Sequence, residues 1–570
     1  MVKIHFKGTK FRINCGYHEN DFPTSLPDVK WHKATKTWLA NPTRLNVSTM
    51  HELIPKFKAI VSPEALQKIS EVMEVKITTS DVWPENYVFH RTPKPHQLDG
   101  VRFLYPIRNS ALLMDVGTGK TQVAIDVANA RYQNNIINGV LVVGLVSIKY
   151  NWRDEILIEV PDADIHVLET AGAGVKNYHK WLQKEGGFKW LIVGVESFSN
   201  GSAYELCEIF LASGGKTIIV DESSSIKTHN ARRTEKCIEL GKKSNYKMIM
   251  TGTPITQGLQ DFYSQFEFLD PDIIGVGNFY AFRGRYMVMG GKDNKILLGY
   301  KKMDEVIRAT KPHIFQVRKR DVLKDLPESS YAVRSVEMTG EQKALYKELK
   351  DKLRVEYNGN KLTVKNAMNV IQRLSEITGG NITYEIENPD ILTREKRPII
   401  YQRQRLKTAP KALELKNFIN ECSADDSIII WAVWTDEIDI ITEMLSGSFP
   451  RDEFLTIRGG GTAEERHNIV SEFNKKNARF LVGNQRVGGI GLNMTVSSTM
   501  VYYSNDFSLE KRIQSEGRIE RMGQLNKMLY VDLLCRGSVD VMSHQALANK
   551  NDFAETVRAA FDNGGLLDLI

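Results

Sequence analysis

The 570-residue chain is poor in cysteine. Its five, Cys15, Cys207, Cys237, Cys422 and Cys535, lie far apart and form no CxxC pair. That excludes a disulfide framework and a cysteine zinc site, and a reducing interior is the expected compartment. Long apolar runs are also missing. The longest, GVLVVGLVSI from Gly139 to Ile148, is half of the ~20 residues a membrane-spanning helix needs and reads as a buried strand. The opening MVKIHFKGTKFRINC has Lys3, His5, Lys7 and Lys10 where a secretory signal needs an apolar stretch, so export is not expected. There is no tandem repeat and no low-complexity tract. Hydrophobic residues at 42 %, charged at 25 % and aromatic at 9 % exclude whole-chain disorder, collagen and coiled coil. The formal net charge of +7 favours anionic partners only mildly.

At ~100–200 residues per domain, the length predicts three or four domains. Residues 1–90 read as a small β-rich unit. KIHFKG and KFRINC are strand-like, and KATK between Trp31 and Trp38 predicts a hairpin. Ser62-Pro63-Glu64 predicts a helix start. From about residue 91, apolar runs of strand length alternate with amphipathic stretches. The strands expected in 91–330 are SALLM, VLVVGLV, WLIVGV, TIIV and KMIM; those in 410–550 are SIIIWAV, RFLVG, TMVYYS and MLYVDLL. Such strands, buried on both faces, predict an α/β fold with two parallel-sheet lobes. Residues 331–409 read as a helical linker or insertion, and 551–570 as a tail.

Three motifs carry chemistry. MDVGTGKT, Met114 to Thr121, follows one strand and opens a helical pattern. Gly117, Thr118 and Gly119 would turn the backbone toward a phosphate at a helix N-terminus. Lys120 would reach the outer phosphates, and the Thr121 hydroxyl would hold Mg²⁺. The alternative is a glycine turn with a surface lysine. In TIIVDESS, Asp221 and Glu222 end a β-branched run, where α/β sheets place ligand groups. Asp221 would hold the metal through water, and Glu222 would deprotonate an attacking water; a solvated acidic loop is the alternative. In GRIERMGQ and the residues before it, Gln514, Arg518 and Arg521 recur at i, i+4 and i+7. On a helix they would share one face, supplying either a salt-bridged surface or an arginine finger.

The order and wording of these blocks resemble the Swi/Snf-type DNA translocases of helicase superfamily two, from about Lys94 to Asn549. PHQLDGVRFL resembles the adenine-reading segment, with Gln97 as the contact. VGLVSIKYNWRDEI is similar to a family block around Asn151, Trp152 and Glu155. MIMTGTPITQGLQDFYSQFEFLDP resembles the motif that couples ATP state to DNA through Thr251, Gly252, Thr253 and Pro254. LVGNQRVGGIGLNMTV follows in family order with Gly491, then the segment holding Gln514 and the arginine pair. The resemblance implies two RecA-like lobes, a DNA-dependent ATPase with ATP and Mg²⁺ as cofactors, and motion on double-stranded or forked DNA as a monomeric motor. VKWHKATKTWLANP is similar to the HARP module of annealing helicases, which implies fork or branch remodelling, strand annealing, and a protein partner for the N-terminal domain. Alternatives are a remodeller that displaces DNA-bound proteins, a strand-separating DNA or RNA helicase, and an ATP-gated scaffold without catalysis. Three departures stand out: Met114 in the phosphate loop, Ser224 closing the acidic box, and Asn505-Asp506-Phe507 where many members have Trp-Asn-Pro.

Residues 283–324 hold 12 Lys or Arg against 4 Asp or Glu. This local excess exceeds the charge of the whole chain and includes Arg318, Lys319 and Arg320, the expected contacts to DNA phosphates. A solvated charged face is the alternative. The expected location is the cytoplasm of a bacterial or virus-infected cell, or the nucleus if the source is eukaryotic.

Overall fold

Continuous apolar strands separated by helix-length segments have one stable arrangement: parallel strands with both sheet faces covered. The computed structural model of the chain contains two such sheets. It describes residues 1–547 except 27–28, 74–81, 171, 200, 253–257, 292–295, 359–363, 388–398, 486–492, 507, 542 and 546. Two compact units divide between Val322 and Leu323.

The first unit begins with a five-stranded sheet, order β3-β4-β2-β1-β5, from β1 (Lys3–Lys7), β2 (Lys10–Asn14), β3 (Val29–His32), β4 (Thr37–Ala40) and β5 (Ile60–Val61). Alternation sends Ile4, Phe11 and Ile13 into a core, which the helices Arg44–Lys56 and Pro63–Met73 help to build through Val47, Met50, Ala65 and Ile69. The expected tryptophan hairpin is β3–β4, with Trp31 opposite Trp38 and their rings 5.3 Å apart, edge to face. Trp31 lies on the edge strand and is 48 % exposed, so it is not a core residue. Leu45 joins the core of the larger sheet that follows. Arg44 Nη1 donates to His313 Nε2 at 3.0 Å, and Arg285 donates to the Ser25 carbonyl.

That larger sheet has seven parallel strands in the order β14-β6-β11-β10-β7-β9-β8. They are β6 (Asn109–Met114), β7 (Gly139–Gly144), β8 (Asp164–Val167), β9 (Lys189–Gly194), β10 (Lys216–Asp221), β11 (Tyr246–Thr251) and β14 (Ile314–Val317). β12 (Met287–Gly290) and β13 (Ile296–Tyr300) form a separate hairpin.

In the second unit six parallel strands run β15-β22-β21-β18-β20-β19. They are β15 (Ser329–Val336), β18 (Ile428–Ala432), β19 (Phe454–Ile457), β20 (Phe480–Asn484), β21 (Thr499–Tyr502) and β22 (Met528–Cys535). β15 crosses the 330/331 boundary expected from the sequence and pairs with β22 along its whole length. The stretch expected as linker holds helices Gly340–Asn358 and Val364–Gly379 and the hairpin of β16 (Asn381–Glu387) and β17 (Ile399–Arg405). A buried polar joint ties it to the second sheet: Thr378 Oγ donates to Asp540 Oδ1, Lys411 Nζ lies 2.7 Å from Asp540 Oδ2, and Tyr503 OH donates to the Gly379 carbonyl.

Candidate active site

Parallel strands bring their carboxyl ends to one edge, so loops far apart in sequence converge there. The central register β6-β11-β10 sets Thr251 opposite Leu113 and Asp221 opposite Met250. The phosphate loop, the acidic pair and Thr251-Gly252 therefore leave neighbouring strand ends. A Cβ on Gly252 would sit 3.2 Å from Val116 Cγ2 and 3.3 Å from the Val116 nitrogen, so any larger residue would have to push the two loops slightly apart.

Gly117 and Gly119 have φ of 86° and 88°, a region open to glycine and poorly tolerated by L side chains. They turn the chain into the N-terminus of helix Lys120–Gln133, with Gly119 as its N-cap. The first turn of any helix offers backbone N–H groups and a positive dipole end to an anion. The Asp115 nitrogen donates to the Val317 carbonyl, the Lys319 nitrogen donates to Asp115 Oδ2, and Thr118 Oγ donates to the Asp115 carbonyl.

Glu222 follows β10 with φ 47° and ψ 58° and caps the short turn Ser223–Ile226. Its nitrogen donates to Asp221 Oδ1 at 2.8 Å. The other carboxylate oxygen, Oδ2, accepts from the indole nitrogen of Trp152 at 2.8 Å. Thr251 Oγ reaches Glu222 Oε2 at 3.5 Å, joining the Thr251-Gly252 segment to the acidic pair. Ser223 Oγ donates to Gln265 Oε1, while Ser224 is buried.

Gln97 is 1 % exposed. Its oxygen accepts from the Lys94 nitrogen, and its amide donates to Gln122 Oε1 on the phosphate-loop helix. The neighbouring His96 Nε2 lies 3.0 Å from the Thr118 carbonyl. Tyr87 OH donates to Asp126 Oδ1 on the same helix. Burial, with Glu159 nearby, pushes the Asp126 carboxyl up to about 7. Arg91 pairs with Glu155 at 2.6 Å and with Glu159. The stretch from Tyr87 to Gln97 is thus tied both to the phosphate-loop helix and to the helix Lys149–Glu159.

Two expectations need correction. The helix carrying Gln514 is Leu509–Glu516, ending at Gly517. Arg518 and Arg521 follow it in turns, so no shared helical face exists; Arg521 Nε donates to the Gly517 carbonyl, and Arg518 is 2 % exposed. In the basic triplet, Arg318 is 8 % exposed because β14 runs beside β6 and delivers it next to the phosphate loop. Only Arg320 is exposed, with Lys319 intermediate. Thr253, Pro254 and Gly491 lie outside the described residues.

The donors suit a nucleotide with Mg²⁺. Asp221 and Thr121 offer hard oxygen donors, and no group of three or more His, Cys, Asp or Glu placed to hold a metal ion occurs among the described residues. Mg²⁺ characteristically binds through one or two protein oxygens plus phosphates and water. Sequence reasoning missed the roles of Trp152 and His96, although both stand inside recognisable blocks, KYNWRDEI and PHQLDG.

The SNF2-related domain matches residues 96–380, and the helicase conserved C-terminal domain matches 410–523. The probable ATP-dependent DNA helicase CHR12 of Arabidopsis thaliana is 24 % identical over 487 residues, 82 % of this chain and 42 % of the relative. The transcription regulatory protein SNF2 of Saccharomyces cerevisiae is 24 % identical over 498 residues, 83 % of this chain and 28 % of the relative. The chain thus spans less than half the length of these curated relatives. A solved structure, the Sulfolobus solfataricus SWI2/SNF2 ATPase core in complex with dsDNA, is 21 % identical, with 83 % of this chain and 94 % of that one covered and a TM-score of 0.38. With the first family match alone covering half of its residues and the second following it in order, the chain belongs to the SNF2-related helicase family.

Proposed function

We propose that the chain is a DNA-stimulated ATP hydrolase that moves along duplex DNA and remodels forks or branches, or anneals strands. The supporting observation is the convergence of phosphate loop, Asp221-Glu222 and Thr251-Gly252 on adjacent carboxyl ends of one parallel sheet. Lys120 and the loop backbone bind the phosphates. Asp221 and Thr121 would hold Mg²⁺, which supplies positive charge to the β- and γ-phosphate oxygens. Glu222 orients the attacking water and takes its proton. Arg518 and Arg521 stabilise charge on the transferring phosphoryl group. Gln514 and Gln97 take the nucleotide's other end, Gln97 by exchanging its Gln122 partner for adenine. Thr251, Gly252, Thr253 and Gly491 transmit nucleotide state to DNA.

Phosphate contacts from the basic stretch, through Lys319 and Arg320, hold DNA without reading sequence. Residues 1–90 act as a HARP-like accessory domain that selects the DNA structure or a protein partner, 91–330 and 410–550 as the two motor lobes. The motor works as a monomer, at the nucleoid or in the nucleus. Triplex displacement beside strand displacement on a 3′-tailed duplex tests the reading. ATP-dependent triplex release without strand separation is expected; strand separation alone favours an unwinding helicase. Displacement of a bound protein with no action on forks favours the remodeller.

A further inference from the structure

Asp221 has a protein donor on each oxygen, and the two donors differ in kind. Oδ1 accepts from the backbone of Glu222, its chain neighbour. Oδ2 accepts from Trp152, a residue 69 positions away on helix Lys149–Glu159, which follows β7. β7 pairs directly with β10, so the helix after β7 reaches the end of β10. Trp152 is 1 % exposed, and its indole has a single N–H to give.

We infer that Trp152 is a positioning residue for the metal-binding carboxylate: its indole N–H fixes the Asp221 plane so that the remaining lone pairs point where Mg²⁺ binds with ATP. The inference deepens the proposed function and rests on it. A carboxylate can rotate about its Cβ–Cγ bond unless donors from different parts of the fold hold it. The second donor, from a rigid buried ring, removes that freedom. It also withholds one lone pair of Oδ2 from the metal, favouring coordination through water. Loss of an outer partner of this type lowers metal affinity by about 10–100-fold.

The test uses the full chain and Mn²⁺ as the probe, read by its electron paramagnetic resonance signal in the presence of ADP, with Mg²⁺ titrations of fluorescent-ADP binding beside it. Trp152→Phe keeps an aromatic ring and removes the N–H; about tenfold weaker metal binding is expected, with metal-free nucleotide binding unchanged. Trp152→His has a smaller ring that keeps an N–H and is expected to bind metal more tightly than Trp152→Phe. A packing role alone predicts the reverse order, because histidine fills less of the site. In an Asp221→Asn background, Trp152→Phe is expected to have no further effect on the residual affinity. Equal metal affinity in wild type and Trp152→Phe, or a lower affinity in Trp152→His than in Trp152→Phe, overturns the inference. If wild type shows no metal-dependent nucleotide binding, the functional reading itself fails instead.

Discussion

Glu222 sits at φ 47° and ψ 58°, a left-handed conformation that disfavours an L side chain by about 1–2 kcal/mol. Strain of this kind persists at functional positions when surrounding structure enforces it. Replacing Glu222 with glycine removes the strain, and the gain is offset by ~0.4–1 kcal/mol of extra freedom in the unfolded chain. Its contact with Thr251 Oγ, at 3.5 Å, is at the limit of hydrogen bonding, so losing that contact subtracts little. Relief of strain less the chain-entropy offset predicts a net stabilisation of about 0.5–1 kcal/mol. Unfolding entropy near 2.1 cal/mol/K per residue, over the unit Met1–Val322, gives ~0.7 kcal/mol/K, so the melting temperature rises by ~1 °C. Glu222→Gln keeps both the backbone strain and the contact and serves as the reference. Differential scanning calorimetry of the nucleotide-free chain compares the two variants, and both are expected to lose hydrolysis. A Glu222→Gly melt at or below that of Glu222→Gln refutes the strain argument.

His313 lies between the N-terminal domain and the seven-stranded sheet, with Nδ1 at 2.7 Å from the Asn109 carbonyl and Nε2 accepting from Arg44. Burial pushes its pKa down to about 4, so stability present above pH ~6.5 is lost as pH falls toward 4, by about 2 kcal/mol at pH 5; His313→Gln should flatten that part of the melting curve's pH dependence. Gly252→Ala presses a methyl group on the Val116 backbone and should weaken nucleotide binding roughly fivefold or more, equivalent to the ~1–3 kcal/mol typical of overpacking, as read by fluorescent-nucleotide titration. Lys120→Ala should abolish phosphate release in the same assays while the melting temperature stays close to wild type.

Burial separates what the sequence shows from what it hides. The interior strands β6, β7, β9, β10 and β11, and β18, β20, β21 and β22, are continuous apolar runs and stand out. The four edge strands, β8, β14, β15 and β19, do not. β15 reads SSYAVRSV with exposed and part-buried residues alternating, and DIHV of β8 has no fully buried position, because an edge strand packs only part of its surface. The glycines of the phosphate loop were legible because its positive-φ turn demands them, and Lys120 because a cation directly after such a turn suits a phosphate. Trp152 and His96 were not, because the hydrogen bonds that give them roles span 69 and 22 residues and exist only once the sheet has assembled. The i, i+4, i+7 spacing of Gln514, Arg518 and Arg521 misled for a local reason: Gly517 ends the helix before the arginines are reached.

The most direct measurement is the initial rate of phosphate release by the full chain with Mg-ATP, in the absence of nucleic acid and with single-stranded, duplex and forked DNA and RNA, for wild type and Glu222→Gln. Duplex or forked DNA should stimulate wild type most, with Glu222→Gln at background throughout. Maximal stimulation by RNA, or equal rates for the two proteins, contradicts the account.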